Sequence, residues 1–584
     1  MKVSEYIIDF ISRQGVKVIF GYQGGAITRI VDAIGKKEEM CFFSNYQEQG
    51  AAFAAEGYAR ITENIGVAIA TSGPGTTNLI TGIGSSFFDS VPVIYITGQV
   101  NSKEYKKSAA VRQVGFQETD IVSIVKPITK YARTIWQKEK ILYYLQKAMY
   151  LAKEGRPGPV LLDIPMDVQN AEVNPSLLES YYESKEYKEK LINNKPVIDK
   201  KCVEEVARRL QMAKRPVILV GGGIRQAKAI GQLQEFVERT HIPVVSTLMG
   251  LDSLSHEQKE YVGFMGAYGV RYANLTVANA DFILVLGARL TGRQISTKPE
   301  SFARAATIIH VDIDENELGR AIEKSIQIHG DLKDFLEKLN KQIKVEHVAL
   351  DLTAWQMKIE SYKQKYVQNQ FVNKVIQSIG SMLQEDAIIC TDVGQNQIWT
   401  AQSMTINEKR RLLTSGGMGA MGFALPSAIG AWTGASERQV CVIAGDGGMQ
   451  MNIQELQAVI REQIPLKIFV LNNRCLGMIR QFQEMYFESR YEGTMKGYST
   501  PDFVALGNAY GITSMKIKSQ KELLNIAPYL KDNKPYIFEV VLPEVTYVTP
   551  KLGMGRPIED QEPLLTREEL QEAMLIPLWD ERGE

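Results

Sequence analysis

The chain has 584 residues, 45% hydrophobic and 23% charged, with 67 basic residues against 67 acidic ones. That balance excludes an electrostatic binder of nucleic acid or membrane surfaces, and the length calls for three or four domains. Five scattered cysteines, Cys41, Cys202, Cys390, Cys441 and Cys475, show no CxxC pairing, which excludes a disulfide framework or a zinc site.

The N-terminal MKVSEYIIDFISRQGVKVIFG reads as an amphipathic helix running into a strand. It lacks a signal-peptide layout, and no 18-residue apolar run follows, so a soluble, cytoplasmic protein is expected. Residues 1–185 alternate the strand-like runs VKVIFG, GVAIAT, VPVIYITG and GPVLLDIP with helical stretches. The polar run SYYESKEYKEKLINNKP, residues 180–196, reads as a linker. Residues 197–345 repeat the pattern with RPVILVGGG, IPVVSTLMG, ADFILVLGAR and ATIIHVDID. A charged helical region follows over residues 341–368. A third unit, residues 370–545, carries AIICTDVG, VCVIAGDGG, LKIFVLNN and PYIFEVVLP. The tail, residues 546–584, is irregular and then helical. Alternating strands and helices predict α/β architecture: three consecutive doubly wound parallel-sheet domains with right-handed crossovers.

The densest chemistry lies in GDGGMQMNIQELQAVIREQIPLKIFVLNN, residues 445–473. Gly-Asp-Gly follows one predicted buried strand and Asn-Asn ends the next, with helical spacing between. Acidic and amide oxygens thus fall at strand carboxyl ends, where open parallel sheets bind ligands. Asp446 and Asn473 offer hard oxygens suited to Mg²⁺, which takes few protein ligands and completes its shell with phosphate or water. Gly445, Gly447 and Gly448 let backbone amides approach a diphosphate. The spacing resembles the diphosphate-anchoring motif of thiamine diphosphate enzymes; the alternative is a structural turn.

Glu48, in NYQEQGAAFAAEGYAR, follows the strand-like MCFFSNY and opens a helix of small residues able to approach other backbone closely. One reading is a first-turn glutamate complementing the helix dipole. The other is the carboxylate that thiamine activation needs on the pyrimidine ring, in an apolar pocket. Glycine turns at residues 21–26 and 71–78 fit either ligand approach or ordinary βα turns. Residues 392–396 (DVGQN) and 415–422 (SGGMGAMG) suit a tight cradle for an aromatic cofactor. In the middle segment, glycines 221–223, residues 248–250, 266–269 and 287–289, and Asp312 fall at strand ends. They could bind a dinucleotide or be structural, and no clean GxGxxG is present.

Together GYQGGAI, EQGAAFAAEGYAR, IATSGPGTTNLITGI, FQETDIV, GRPGPVLLDIP, STLMGLDSL, TDVGQNQIW, SGGMGAMGFALPSAIGA, AGDGGMQMNIQEL and LNNRCLGMIRQFQE resemble the catalytic subunits of acetolactate (acetohydroxyacid) synthases over residues 3–545. The resemblance implies a pyrimidine-binding domain (1–185), a central FAD-binding-type domain (197–345) and a diphosphate-binding domain (370–545). It implies a carboligase that decarboxylates pyruvate and transfers the two-carbon unit to a second carbonyl, the thiazolium acting as electron sink. Implied thiamine diphosphate contacts are Gly24, Val393, Gly394, Gln395, Asn396, Gly419, Met421 and Met478 beside Gly445, Gly447 and Gly448. The carbonyl at Cys475 would complete the Mg²⁺ site of Asp446 and Asn473, and Met421 would prop the cofactor. Glu48, Gly25, Phe116 and Gln117 would line the reacting centre, with Gln117 donating to a developing alkoxide. FAD, without a redox role, would contact Gly221, Gly222, Gly223, Thr247, Leu248, Met249, Gly266, Gly287, Arg289, Arg293, Asp312, Ile313 and Asp331. The site would be shared across a homodimer or homotetramer, Glu48 of one copy facing Asp446 of the other. The sequence leaves any regulatory subunit open.

The histidines, His241, His256, His310, His329 and His347, lie in or beside the middle segment and outside the cofactor motifs, which favours carboligation over aldehyde release. The family's usual YPGGA, DVGQHQ, IPKDV, RQWQ and FDDR become forms with Gln23, Asn396, Met166, Phe482 and an LTGR that keeps Arg293. Phe482 and Met166 are expected at the acceptor pocket, and their replacement fits a larger acceptor or one without a second carboxylate. That points to an offshoot of the family that transfers the acetyl unit to a nucleotide-linked keto-sugar. Acetolactate synthesis is the alternative, and a non-catalytic cofactor-binding scaffold the reading from another class.

Overall fold

The computed structural model describes residues 1–108, 110–193, 196–346 and 350–579. Positions 194–195 of the expected linker, His347 and the last five residues of the tail lie outside the described residues. Two compact units emerge: residues 1–194, 386–397 and 413–544 form one, and residues 195–385, 398–412 and 545–584 the other.

Three six-stranded parallel sheets carry the fold. The first orders its strands Cys41–Ser44, Val18–Gly21, Gly66–Ala70, Val93–Gln99, Val160–Pro165, Tyr131–Thr134. The third repeats that order with Arg411–Leu413, Ile388–Thr391, Val440–Gly445, Lys467–Asn472, Tyr536–Val541, Thr513–Ile517. The middle sheet runs Ile326–His329, Thr307–Asp312, Phe282–Leu286, Pro216–Val220, Val244–Ser246, Tyr261–Phe264. Inner strands such as Val93–Gln99 and Pro216–Val220 are buried along their whole length, because helices cover both faces of a parallel sheet.

Each sheet has one point where the strand order reverses. It falls between Val18–Gly21 and Gly66–Ala70, between Pro216–Val220 and Phe282–Leu286, and between Ile388–Thr391 and Val440–Gly445. Ligands bind at such points, beyond the strands' carboxyl ends.

Within the first unit, the small-residue helix Glu48–Thr62 lies against the helix Ala424–Gly434. A Cβ on Gly57 would strike the Ser427 carbonyl, and one on Gly430 would strike the Ala54 carbonyl. Phe53 meets Phe423 edge-on at 5.3 Å between ring centres. The expected close backbone approach is therefore met by Gly57, Ala54 and Gly430.

The run at residues 180–196 is more than a linker. Tyr181 is fully buried, and the helix Lys185–Asn193 follows it. Tyr143 and Tyr187 pack against Tyr181 with ring centres at 5.3 and 5.4 Å, and Gln146 accepts from its amide at 2.8 Å. Tyrosines let a segment rich in charge dock on a surface through rings. The charged region beyond residue 341 resolves into the helices Leu332–Glu346 and Thr353–Lys365, the latter burying Trp355, Ile359 and Tyr362. Among the described residues, no helix is long and apolar enough to cross a membrane.

Candidate functional site

The GDG segment begins where its strand ends. Val440–Gly445 pairs in parallel with Lys467–Asn472, Gly445 opposite Leu471, so Asp446 stands level with Asn472 and one step from Asn473. The expected single helix between them is broken into Asp446–Met451, a 3₁₀ turn Ile453–Glu455 and Leu456–Arg461. Asp446 is buried, and its Oδ1 accepts from the Gly447 amide at 2.8 Å while Oδ2 makes no hydrogen bond. Burial pushes its pKa up to about 6, against the pull of the Gly447 and Arg474 amides. A buried carboxylate oxygen without a hydrogen bond fits a cation, whose charge would favour the ionised form. Asn473 donates through Nδ2 to Gln395 Oε1 at 2.9 Å, which turns its own oxygen away from Gln395. Arg474 takes φ +58°, with its amide held by Asn472 Oδ1 at 3.0 Å, and this left-handed residue separates Asn473 from the buried Cys475. Among the described residues, no cluster of three His, Cys, Asp or Glu is gathered. The donor set here is one carboxylate, one amide and backbone, which suits Mg²⁺ completed by phosphate oxygens.

Two further segments close on this edge. Asp392, just past the strand Ile388–Thr391, accepts from Val393 and Gly422 amides through Oδ1 at 2.9 and 3.0 Å, and from Ala424 through Oδ2 at 3.0 Å. It thereby ties the glycine-rich loop at residues 415–422 to the sheet. Met421 from that loop, Leu476 and Tyr498 surround Gly447: a Cβ there would lie 3.1, 2.8 and 3.2 Å from Met421 Cε, Leu476 Cδ2 and the Tyr498 hydroxyl. The Tyr498 hydroxyl is buried beside the Asp446 carboxylate; burial and that carboxylate raise its pKa, and no sequence motif marks it. Val393, Gly394 and Gln395 fall in the same turn, and Gly419 (φ +67°) bends the loop. Met478 is the second residue of the helix Gly477–Tyr486, five positions past Asn473. Asn396 has a different first duty: its Nδ2 donates to the Asp392 and Ile443 carbonyls at 2.7 and 3.1 Å, bolting the two switch-point strands together.

Glu48 is buried at the first position of its helix, with Gln47 as the cap accepting from Gly50. Asn78 donates to Glu48 Oε2 at 2.9 Å, and Glu48 Oε1 faces Gly75 of the turn at residues 71–78. That turn meets the one at residues 21–26 across the first switch point: Thr71 Oγ1 accepts from the Ala26 amide at 3.1 Å, and a Cβ on Gly24 would lie 2.5 Å from Thr71. Gln117 takes φ +64° and packs on Gly73. Phe116, expected at the reacting centre, is 85% exposed in the single chain; its loop is splinted instead by Glu118, which accepts from Lys106, Val114 and Gly115 amides. Gly25 and Met166 line one open cleft of about 620 Å³, together with Thr28, Arg29, Asn101 and Asn170. Phe482 belongs to another neighbourhood, its ring tilted against those of Tyr486 and Phe487 with centres at 4.8 and 5.7 Å.

In the second unit, every position expected to touch a dinucleotide falls at or beyond a strand's carboxyl end, and all six strands contribute. Gly221 to Gly223 follow Val220, Thr247 to Met249 follow Ser246, and Gly266 follows Phe264. Gly287, Arg289 and Arg293 follow Leu286; Asp312 and Ile313 end Thr307–Asp312; Asp331 follows His329. Several have structural duties as well. Gly221 and Gly223 are pressed on Gly287 backbone, Asp331 Oδ1 caps the next helix through the Asp334 amide at 3.0 Å, and Asn274 clasps Gly266 through both backbone groups. Arg289 and Arg293 have no ion pair among the described residues, leaving two cations at this edge for an anionic ligand. His241, His256, His310 and His329 also belong to this unit, and the GDG segment to the other.

Comparison with known proteins agrees with this layout. The thiamine pyrophosphate enzyme N-terminal TPP binding domain matches residues 1–124, the central domain residues 203–339, and the C-terminal TPP binding domain residues 392–540. The chain is 38% identical over 564 residues to the acetolactate synthase large subunit of Lactococcus lactis, covering 94% of each. It is 35% identical to acetolactate synthase isozyme 2 large subunit of Escherichia coli, covering 95% of this chain and 98% of the relative. It is 35% identical to the chloroplastic acetolactate synthase of Arabidopsis thaliana, covering 96% and 84%. The chain therefore belongs to the thiamine pyrophosphate enzymes, and is an acetolactate synthase-like carboligase dependent on that cofactor.

Proposed function

We propose that the protein removes CO₂ from pyruvate and joins the remaining two-carbon unit to the carbonyl of a nucleotide-linked keto-sugar. The observation that carries this reading is the cleft where Gly25 meets Met166. Synthases usually place a lysine at the Met166 position, and an uncharged side chain there takes one cation from a cleft whose lining holds Arg29 beside the carboxylates of Asp32 and Asp167. The cleft's remaining lining, Thr28, Arg29, Asp32, Asn101, Asp167, Gln169 and Asn170, is polar, which suits a hydroxyl-rich acceptor. Formation of acetolactate, with pyruvate or 2-oxobutyrate as acceptor, is the second reading; the identity of 35–38% to acetolactate synthases favours it.

Asp446, Asn473 and the Cys475 carbonyl would hold Mg²⁺, with the amides of residues 445–448 at the diphosphate and Met421 against the ring. Thiamine diphosphate would supply the electron sink for decarboxylation. Glu48, with Oε2 occupied by Asn78, keeps Oε1 to hold a proton. Gln117 would donate to a developing alkoxide. FAD in the central domain, not turning over, is supported by the convergence of six strand ends and by Arg289 and Arg293. A homodimer or homotetramer is supported by the bare ring of Phe116, which a second copy would cover.

The test is incubation of purified protein with thiamine diphosphate, Mg²⁺, FAD and pyruvate, measuring CO₂ and acetolactate. Little acetolactate, with CO₂ release rising when a keto-sugar nucleotide is added, is the expected result. Rapid acetolactate formation from pyruvate alone would establish the second reading.

A further inference from the structure

Glu455 lies at the end of the 3₁₀ turn Ile453–Glu455, in the half of the first unit that carries the GDG segment. It is fully buried, and its partners are the residues just before Glu48.

Asn45 Nδ2 donates to Glu455 Oε2 at 2.9 Å, and the Tyr46 amide donates to Oε1 at 3.0 Å. The Gln47 amide comes next and also draws the Glu455 pKa down, while burial pushes it up to about 7. A Cβ on Gly50 would lie 2.5 Å from Oε1, so the carboxylate fills the space over the helix's first turn. Three successive donors and a helix N-terminus converge on one carboxylate, which offsets part of the burial penalty on its charged form and fixes its place. The next residue in the chain is Glu48. Its backbone position is thus fixed from one side by Glu455 and its side chain from the other by Asn78.

We propose that Glu455 is a positioning residue for Glu48, holding the entry to the helix Glu48–Thr62 so that the Glu48 carboxylate keeps its place. The proposal rests on the reading of Glu48 as the proton-holding carboxylate. Misplacing such a group by about 1 Å costs on the order of a hundredfold in rate.

A double-mutant cycle tests it, with kcat and KM for pyruvate followed by CO₂ release, and thiamine diphosphate binding followed by quenching of protein fluorescence. Glu455→Ala should lower kcat on the order of ten- to a hundredfold, leave KM nearly unchanged, and leave cofactor affinity within about threefold. Glu455→Gln should retain more activity, because the Asn45 amide can rotate to present its buried, unpartnered Oδ1. On top of Glu48→Gln, Glu455→Ala should cost nothing further. A full additional loss in the double variant, or a normal rate in Glu455→Ala, would overturn the proposal while leaving Glu48 its role. An unchanged rate in Glu48→Gln alone would instead remove the reading of Glu48, and the proposal with it. Should Glu455→Ala fail to fold, Asn45→Ala carries the same cycle: a several-fold loss alone and none added to Glu48→Gln is expected, and an additive loss overturns the proposal.

Discussion

Asp392 and Gly448 touch so closely that a Cβ on Gly448 would overlap Asp392 Oδ1. The same carboxylate receives the amides of Val393, Gly422 and Ala424, so it joins a strand end, the Met421 loop and the GDG turn at one point. Gly448→Ala must displace a group that three hydrogen bonds hold. A destabilisation of about 1–3 kcal/mol is expected, read as a lower Tm. A weakening of thiamine diphosphate binding by at least about tenfold should accompany it. Equal Tm and affinity in the variant would show that the contact relaxes freely.

The buried, unpartnered Asp446 Oδ2 makes a second prediction. Removal of divalent cations with a chelator should abolish activity, and added Mg²⁺ should restore it. In Asp446→Asn the Mg²⁺ concentration for half-activation should rise on the order of ten- to a hundredfold, since a carboxylate ligand is replaced by a weaker neutral oxygen. A variant activated at the same Mg²⁺ concentration as the parent would take Asp446 out of the cation site.

Much of this was legible in the sequence, and the failures have a common cause. All twelve inner strands of the three sheets correspond to the apolar runs read as strands, because burial on both faces forces such runs. The strands that escaped, Tyr131–Thr134, Tyr261–Phe264, Ile326–His329, Arg411–Leu413 and Thr513–Ile517, are all edge strands. Four of them are partly exposed, and Tyr261–Phe264 is interrupted by Gly263 and a register shift. The placement of Asp446 and Asn473 at strand ends and of Glu48 at a helix start was readable, because such boundaries announce themselves. Asp392's clamp and Glu455's grip on residues 45–47 were not, because each joins segments far apart in the chain.

Asp163 gives a pH-dependent prediction. It is buried in the strand Val160–Pro165, with Oδ1 accepting from Thr97 at 2.8 Å and Oδ2 from Gln99 and Thr134 at 3.0 and 3.2 Å. Burial pushes its pKa up to about 7 against those three hydrogen bonds. An unfolded aspartate titrates near about 3.9, so the folded state binds the extra proton between these values. Its contribution to stability is fully present below about pH 4 and is lost as pH rises through about 7. Asp163→Asn, whose oxygen can serve Gln99 and whose amide can donate to Thr97, removes that part of the slope. The variant's Tm should exceed the parent's at pH 8 and approach it at pH 5. Glu56 and Asp392, also raised by burial, keep part of the slope in both proteins. Parallel Tm curves would show that Asp163 does not titrate in this range.

Met166 offers the most direct test of the acceptor. It lines the cleft with Gly25 and Arg29, and a lysine there would place a cation within reach of an acceptor carboxylate. One such charge pair in a partly exposed cleft is worth about 1 kcal/mol, near tenfold in relative rate. Met166→Lys should therefore raise acetolactate formation relative to transfer onto a keto-sugar nucleotide by roughly that factor. Phe482→Trp, altering the ring that packs on Tyr486 and Phe487, should narrow the pocket and lower transfer to the bulkier acceptor. Combined, the two substitutions should have additive effects, because Met166 and Phe482 lie in separate neighbourhoods of the chain. An unchanged ratio of the two products in Met166→Lys would detach the cleft from acceptor choice, and with it the argument for a sugar acceptor.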